Sequence, residues 1–149
     1  MALQPVTYLD NSATTAVLPG VAAMVHKMLT ENYGNPSSLH GLGVKAEKAL
    51  GEARRQVAGL MGARPGEIYF TSGGTEANNW ALRGVARARR RQGKHMITTA
   101  IEHPSILATC RSLAAEGYEV TFLPVDARGR VRPADLEAAL REDTILVSV

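Results

Sequence analysis

The segment with the clearest chemical potential is Phe70-Thr-Ser-Gly-Gly-Thr-Glu-Ala-Asn78, in which a predicted strand (67–71) leads into a glycine turn (72–75) and a predicted helix (76–91). The two glycines allow a tight turn and a close backbone approach to a ligand. Free N–H groups at a helix start attract anions, and Thr75 adds a hydroxyl donor. The turn is neither a Walker loop nor G-x-G-x-x-G. The residues alone are therefore consistent with a phosphate site or with a structural strand–helix turn.

The second candidate is His103 in Ile101-Glu-His-Pro-Ser105. It follows a predicted strand (95–99) and precedes a helix that Pro104 opens, so we expect it at the same sheet edge as the glycine turn. A histidine there could act as an acid or base, or stack on a planar ligand. It could equally cap the helix or lie at the surface, and the residues alone leave both interpretations open.

Three other features carry weaker signals. The loop Gly34-Asn-Pro-Ser-Ser-Leu-His-Gly41 is of a type that often binds ligands, although His40 is interpreted as an ordinary loop histidine. Tyr8-Leu-Asp-Asn-Ser-Ala-Thr-Thr15 indicates only an extended stretch and a polar turn. Cys110 lies on the apolar stripe of its helix and is predicted to be a buried, inert thiol. The four histidines and one cysteine show no metal-ligand spacing, so no metal site is expected.

Hydrophobic periodicity and turn residues predict the elements that would position these groups. They alternate along the chain as helices at 19–31, 42–61, 76–91, 104–116 and 133–140, and strands at 67–71, 95–99, 120–125 and 144–149. This alternation predicts an α/β protein with a mostly parallel sheet and flanking helices.

Composition narrows the class of protein. The 149 residues are 45% apolar and 21% charged, as in ordinary globular domains. The net charge is +3, and much of the positive charge lies in one run that we interpret as a solvated helix end rather than a nucleic-acid site: Arg87, Arg89, Arg90, Arg91 and Lys94. A single cysteine, no evident signal peptide in residues 1–8 and no run of transmembrane length favour a cytoplasmic protein without a membrane partner.

Four segments, taken together and in this order, resemble the NifS/IscS-like cysteine desulfurases of the class V aminotransferase family, which have pyridoxal 5'-phosphate (PLP) fold type I. They are Tyr8–Thr15, Gly34–Ser38 with His40, Phe70–Glu76 and Glu102–Ser105.

The resemblance implies that Gly74 and Thr75 hold the phosphate of PLP, and that His103 stacks on the pyridine ring and assists proton transfers. It implies conversion of L-cysteine to L-alanine, with the sulfur passed to an enzyme persulfide for Fe-S cluster or thio-cofactor assembly. The expected partners are a sulfur-acceptor protein, such as an Fe-S scaffold, and a second copy in a homodimer. Residues 1–16 would belong to a small domain, and residues 17–149 to the first part of the large PLP-binding domain.

By the same resemblance, the Schiff-base lysine, the pyridine-pairing aspartate and the catalytic-loop cysteine fall beyond Val149. We therefore expect an incomplete fold that is inactive and poorly stable by itself. Two alternatives stay open. One is another class V enzyme, such as a selenocysteine lyase or an aminotransferase, and the other is a truncated protein that acts only by association.

Overall fold

The computed structural model describes residues 7–149 and divides the chain into two compact units. The first unit ends at Tyr69, and the second is Phe70–Val149. Residues 1–6 lie outside the described part, and with them most of the segment that we examined for a signal peptide and the start of the predicted 1–16 segment. The division of the chain into residues 1–16 and 17–149 stays a prediction.

The described residues of the first unit, from residue 7 onward, contain two helices, α1 (Pro19–Thr30) and α2 (Gly41–Met61), and a 3-10 turn (Pro65–Glu67). Both helices lie within a residue of their predicted limits. Pro19 occupies the first position of α1, where its missing N–H has no partner to lose. The backbone of Gly62 is left-handed, with φ of 62°, and this residue ends α2.

The apolar stripe of α1 forms a helix as predicted but remains uncovered. No residue of α1 is buried, and Val21, Met24 and Val25 are each about half exposed. Between Met24 and Met28 on α1 and Ala46 and Ala53 on α2 lies a cleft of about 360 Å³ with almost entirely apolar walls. The described chain therefore leaves a helical face of this unit without apolar partners.

The loop between α1 and α2 is held against the start of α2 by two glycines. A Cβ on Gly34 would lie 2.2 Å from the Leu42 carbonyl oxygen, and one on Gly43 would lie 2.1 Å from the Ser38 carbonyl oxygen. Neither backbone contact could accommodate a side chain, so this close packing requires glycine at both positions.

The second unit contains strands β1 (His95–Thr99), β2 (Glu119–Leu123) and β3 (Thr144–Ser148), and helices α3 (Gly74–Arg89), α4 (Pro104–Ala115) and α5 (Pro133–Ala139). The sheet order is β2-β1-β3, and both pairings are parallel. His95 of β1 pairs with Glu119 of β2 and with Thr144 of β3, with an irregularity in the β3 pairing just after His95. The predicted α/β arrangement with a parallel sheet is confirmed.

The predicted strand at 67–71 is wrong. Pro65–Glu67 is a 3-10 turn, and no strand within residues 7–149 pairs with residues 68–71. Glu67 closes the turn by accepting from the backbone N–H of Arg64 at 2.8 Å and from its guanidinium at 2.6 Å. The β-prone side chains of Ile68, Tyr69 and Phe70 do not form a strand without a neighbouring ladder, because strand stability comes from cross-strand pairs.

The core of the second unit lies where α3 and α4 meet the central strand. It is a cluster of buried side chains from both helices and the sheet, namely Leu82, Ala86, Met96, Ile106, Cys110, Leu113 and Ile145. Every residue of β1 is buried, as expected for a central strand. The C-terminal end of β1, from which the chain continues to His103, is therefore held in place from both sides.

His95 links all three strands through its ring. Nδ1 lies 2.7 Å from the hydroxyl of Thr144, and Nε2 lies 2.8 Å from the hydroxyl of Thr121. The residue is only 1% exposed. Burial, and to a lesser extent the charge of Arg141, lowers the pKa of His95, against the opposing effect of Asp143 and Glu119.

We predict that Gly43→Ala destabilises the first unit by about 1–3 kcal/mol, because the new methyl group must displace the Ser38 carbonyl. The matched control is Gly59→Ala in the same helix, where no atom lies within 4 Å of the new Cβ. That substitution should stabilise the helix by about 0.5–1 kcal/mol. Denaturant unfolding followed by helical circular dichroism measures both, and equal midpoints for the two variants would refute the assigned contact.

We predict that the free energy of unfolding falls as the pH drops below about 6.5. The pKa of His95 is lower in the folded chain than in the unfolded chain. The unfolded chain therefore binds more protons in acid, so stability is complete above the unfolded value and is lost below it. His95→Gln should flatten this dependence between about pH 6.5 and 5. Exposed His26→Gln is the control for the loss of a histidine as such, and an unchanged slope in His95→Gln would contradict the prediction.

Candidate functional site

Gly74 and Thr75 occupy the first two positions of α3. The helix begins two residues earlier than predicted, so the N–H groups of residues 74–76 lie in the first turn, where a helix has no acceptors of its own. A Cβ on Gly73 or Gly74 would meet no atom within 4 Å, so space is open above this backbone. The glycine turn therefore offers exposed donors and the positive end of a 16-residue helix to an anion.

Glu76 stabilises the glycine turn through hydrogen bonds to Ser72. Its Oε2 accepts from the backbone N–H of Ser72 at 2.7 Å and from the Ser72 hydroxyl at 2.8 Å. The backbone N–H first, and then the hydroxyl, lower the pKa of the Glu76 carboxyl, so it is ionised at neutral pH. Its charge is thereby engaged by two donors that precede the helix, and the first-turn N–H groups remain available.

His103 is the N-cap of α4. Its Nδ1 accepts from the backbone N–H of Ser105 at 3.1 Å and lies 2.8 Å from the Ser105 hydroxyl. The turn before it is tied to β1, because the Thr99 hydroxyl donates to Glu102 at 2.9 Å. Of the interpretations that the sequence left open, helix capping is confirmed. Because His103 is also exposed, capping at Nδ1 leaves the Nε2 edge of the ring available to a ligand.

A seam of polar side chains aligns α3 with α4. Asn78, one turn into α3, donates from Nδ2 at 2.9 Å to the hydroxyl of Ser105, the second residue of α4. Further along, the Thr109 hydroxyl donates to Asn79 at 2.8 Å. Past the middle of α3, Arg83 donates to two residues near the C-terminal end of α4, to Ser112 at 2.9 Å and to Glu116 at 2.8 Å.

Because the paired positions advance together along both helices, α3 and α4 run in parallel and start at the same end. Helix α4 starts just after β1 ends, so this end is the C-terminal edge of the parallel sheet. The structure therefore brings Gly74, Thr75 and His103 to one edge, as predicted, although the strand that was expected to deliver the glycine turn is absent. Ligands of open α/β sheets bind at this edge.

The other sequence candidates lie in the first unit. His40 is the N-cap of α2, where its Nδ1 accepts from the Gly43 N–H at 3.4 Å. Tyr8 and Thr14 hydrogen-bond through their hydroxyls. These contacts are structural and suggest no chemistry for either segment.

Cys110 lies in the core, where it is 1% exposed. Burial, and then the negative charge of Glu102, raise the pKa of its thiol. Such a thiol is poor as a nucleophile, since the thiolate is the reactive form. The prediction of a buried, unreactive cysteine is confirmed in its placement.

Two negative observations concern residues 7–149. They contain no cluster of three or more histidine, cysteine or acidic side chains that could hold a metal ion. In the same residues, no helix combines the length and the apolar character needed to cross a bilayer.

The sequence interpretation missed Asn78 and Ser105 as part of this site. Both lie in motifs that were singled out, but neither was given a role. One signal was available for Ser105, since its N–H lies two residues after a capping position, where it can reach the cap side chain. No local signal pairs Asn78 with Ser105, because 27 residues separate them.

Comparison with known proteins bears on both the fold and the site. The family model described as aminotransferase class-V matches residues 7–149. The cysteine desulfurase IscS of Methanosarcina thermophila is 51% identical over 142 residues, which are 95% of this chain and 35% of that protein. The chain therefore spans about a third of the length of the relatives it matches.

Solved structures of related proteins superpose on this chain and support the same family. A NifS-like protein superposes with a TM-score of 0.86 at 42% identity, over 92% of this chain and 38% of that one. SspA in complex with cysteine gives 0.86 at 37% identity, over 95% and 41%. A C-DES mutant with glycine covalently linked to the PLP cofactor gives 0.64 at 25% identity, over 85% and 32%. The fold is that of the N-terminal part of NifS-like, PLP fold type I structures.

We predict that native Cys110 reacts with a thiol reagent such as Ellman's reagent at least about 100-fold more slowly than an exposed cysteine, because reaction requires the core to open. The control is Cys110→Ala combined with Ala108→Cys, which places a single thiol at an exposed position of the same helix. Both proteins should react at similar rates in denaturant. Fast labelling of native Cys110 would show that the thiol is accessible.

Proposed function

The chain belongs to the class-V aminotransferase family, and we propose that it forms the N-terminal part of a PLP-dependent cysteine desulfurase that converts L-cysteine to L-alanine. Relatives named cysteine desulfurase IscS are about half identical to it over nearly its whole length. The observation that carries the proposal is the hydrogen-bonded link from Asn78 through Ser105 to His103. It brings an anion-binding helix start and a histidine to one edge of the sheet.

The residues present fit PLP. A phosphate needs several converging donors, and the first-turn N–H groups of α3 supply them together with the Thr75 hydroxyl. The open space over Gly73 and Gly74 lets a ligand approach the backbone. We assign the phosphate to Gly74 and Thr75, and the face of the cofactor ring to His103. Bound PLP supplies an electron sink for the amino-acid substrate.

His103 is the residue of this chain suited to moving a proton. An imidazole can carry a proton on either ring nitrogen, so His103 can exchange a proton with a ligand at its exposed Nε2 edge when Nδ1 takes up or releases one in turn. Hydrogen bonds between α3 and α4 join the helix that His103 caps to the helix that carries the proposed phosphate donors. The lysine and the sulfur-accepting cysteine that the reaction needs are assigned to the part of the relatives' length that this chain does not span.

The remaining assignments follow from the same proposal. The substrate is L-cysteine, in line with the structural relative solved in complex with cysteine. The sulfur is passed through an enzyme persulfide to an acceptor protein such as an Fe-S scaffold, and the complete enzyme is a cytoplasmic homodimer. A mass measurement in solution tests the homodimer, and a sulfur-transfer assay with a candidate scaffold tests the acceptor protein.

The test of the function uses the complete protein that carries this chain, loaded with PLP and given L-cysteine. We expect visible absorbance from the bound cofactor and equal amounts of alanine and transferred sulfur. His103→Gln should lower turnover by about 100-fold or more, because acid–base groups contribute 10²–10⁴-fold. Thr75→Val should weaken PLP binding by about 10-fold, since hydrogen bonds to charged groups contribute about 1.5–3 kcal/mol.

His26→Gln and Thr30→Val, on an exposed helix of the first unit, are the matched controls and should leave both quantities unchanged. A colourless protein that is inert toward cysteine would refute the proposal. Turnover of selenocysteine with none of cysteine would instead identify a different class V enzyme.

A further inference from the structure

The ring of His103 is held by donors at one nitrogen. Nδ1 faces both the backbone N–H of Ser105, at 3.1 Å, and the Ser105 hydroxyl, at 2.8 Å. A backbone N–H can only donate, so Nδ1 must present a lone pair. In the neutral ring one nitrogen accepts and the other carries the proton, so the proton lies on Nε2.

The Ser105 hydroxyl is itself oriented from α3. Asn78 donates to it from Nδ2 at 2.9 Å, and Ser105 is only 8% exposed. With one lone pair engaged by the amide, the hydroxyl hydrogen can point to Nδ1 of His103. The three groups then form a donor chain that runs from Asn78 through Ser105 to His103.

We propose that Asn78 and Ser105 are positioning residues that hold neutral His103 as the Nε2–H tautomer and fix the plane of its ring. This inference rests on the function proposed for His103. It adds that the neutral ring presents its Nε2–H as a hydrogen-bond donor, on its free edge. It also makes α3 the source of that orientation, since Asn78 lies one turn after Gly74.

The arrangement explains why a capping histidine is suited to this edge. A histidine free of contacts would exchange tautomers and rotate about its side-chain bonds, so only a fraction of molecules would present a proton to a ligand. Here the Nδ1 atom of His103 accepts the capping hydrogen bond, and the Nε2 atom stays available to a ligand. The side chain that caps α4 and the side chain that would meet the ligand are therefore the same.

The test measures the tautomer directly by long-range ¹H–¹⁵N correlation on the histidine-labelled complete protein that carries this chain, without PLP, at a pH where the rings are neutral. The ring signals of His103 are assigned as those that disappear in His103→Gln. We expect the acceptor-type ¹⁵N shift at Nδ1 and the protonated shift at Nε2. In Ser105→Ala the backbone donor remains but the hydroxyl is lost, so the minor Nδ1–H population should rise roughly fivefold. Asn78→Ala should also raise the Nδ1–H population of His103, but by a smaller factor than Ser105→Ala does.

Two further variants separate an effect on the orientation of the His103 ring from a general loss of packing between α3 and α4. Ser105→Thr keeps the hydroxyl and should restore the wild-type tautomer ratio. Ser112→Ala removes a hydroxyl from the same helix seam, where it accepts from Arg83, and should leave the His103 shifts unchanged. The buried ring of His95 reports in the same spectrum that each variant is folded.

Wild-type His103 with its proton on Nδ1, or identical shifts in wild type and Ser105→Ala, would overturn the inference. These outcomes are independent of turnover. If His103→Gln in the complete enzyme retains full activity, the proposed function of His103 fails even when the tautomer is as expected. If that variant is inactive but the tautomer does not respond to Ser105, the positioning role alone fails.

Discussion

Leu82 and Ala86 of α3 pack with Cys110 and Leu113 of α4 over Met96 of β1, and the rest of the second unit depends on this contact. Burying a large apolar side chain contributes about 1.5–3 kcal/mol, more than a typical net hydrogen bond at about 0.5–1.5 kcal/mol. The apolar cluster therefore supplies most of the stability. Because apolar contact is non-directional, it does not by itself determine how far one helix slides along the other.

The polar seam supplies that alignment. Asn78 with Ser105, and Asn79 with Thr109, can satisfy their hydrogen bonds only when the two helices start at the same level. A shift by one turn would break both of these interhelical hydrogen bonds, at a cost of about 0.5–1.5 kcal/mol each. His95 acts in the same way within the sheet, where Thr121 and Thr144 hold its ring across three strands. In this unit, polar groups select one arrangement and apolar groups stabilise it.

The first unit shows the opposite balance. The apolar stripe of α1 is exposed, and a cleft with largely apolar walls lies between it and α2. The relatives are nearly three times as long as this chain. An amphipathic face without a partner gains no stability from burial, so the glycine-dependent contact between the 31–40 loop and α2 matters more here than it would in a filled core.

The sequence by itself determined the helices, three of the strands and the identity of the candidate residues, because periodicity, proline and glycine act over a few neighbours. It correctly placed Gly74, Thr75 and His103 at one sheet edge and Cys110 in the core. It failed at residues 67–71, where β-prone side chains lack a neighbouring strand and Glu67 closes a turn instead. It could not reveal the link between Asn78 and Ser105, because 27 residues separate them and only the parallel packing of α3 and α4 brings them into contact. Tertiary structure alone therefore decided that the Ser105 hydroxyl, which contacts Nδ1 of His103, is itself hydrogen-bonded from α3.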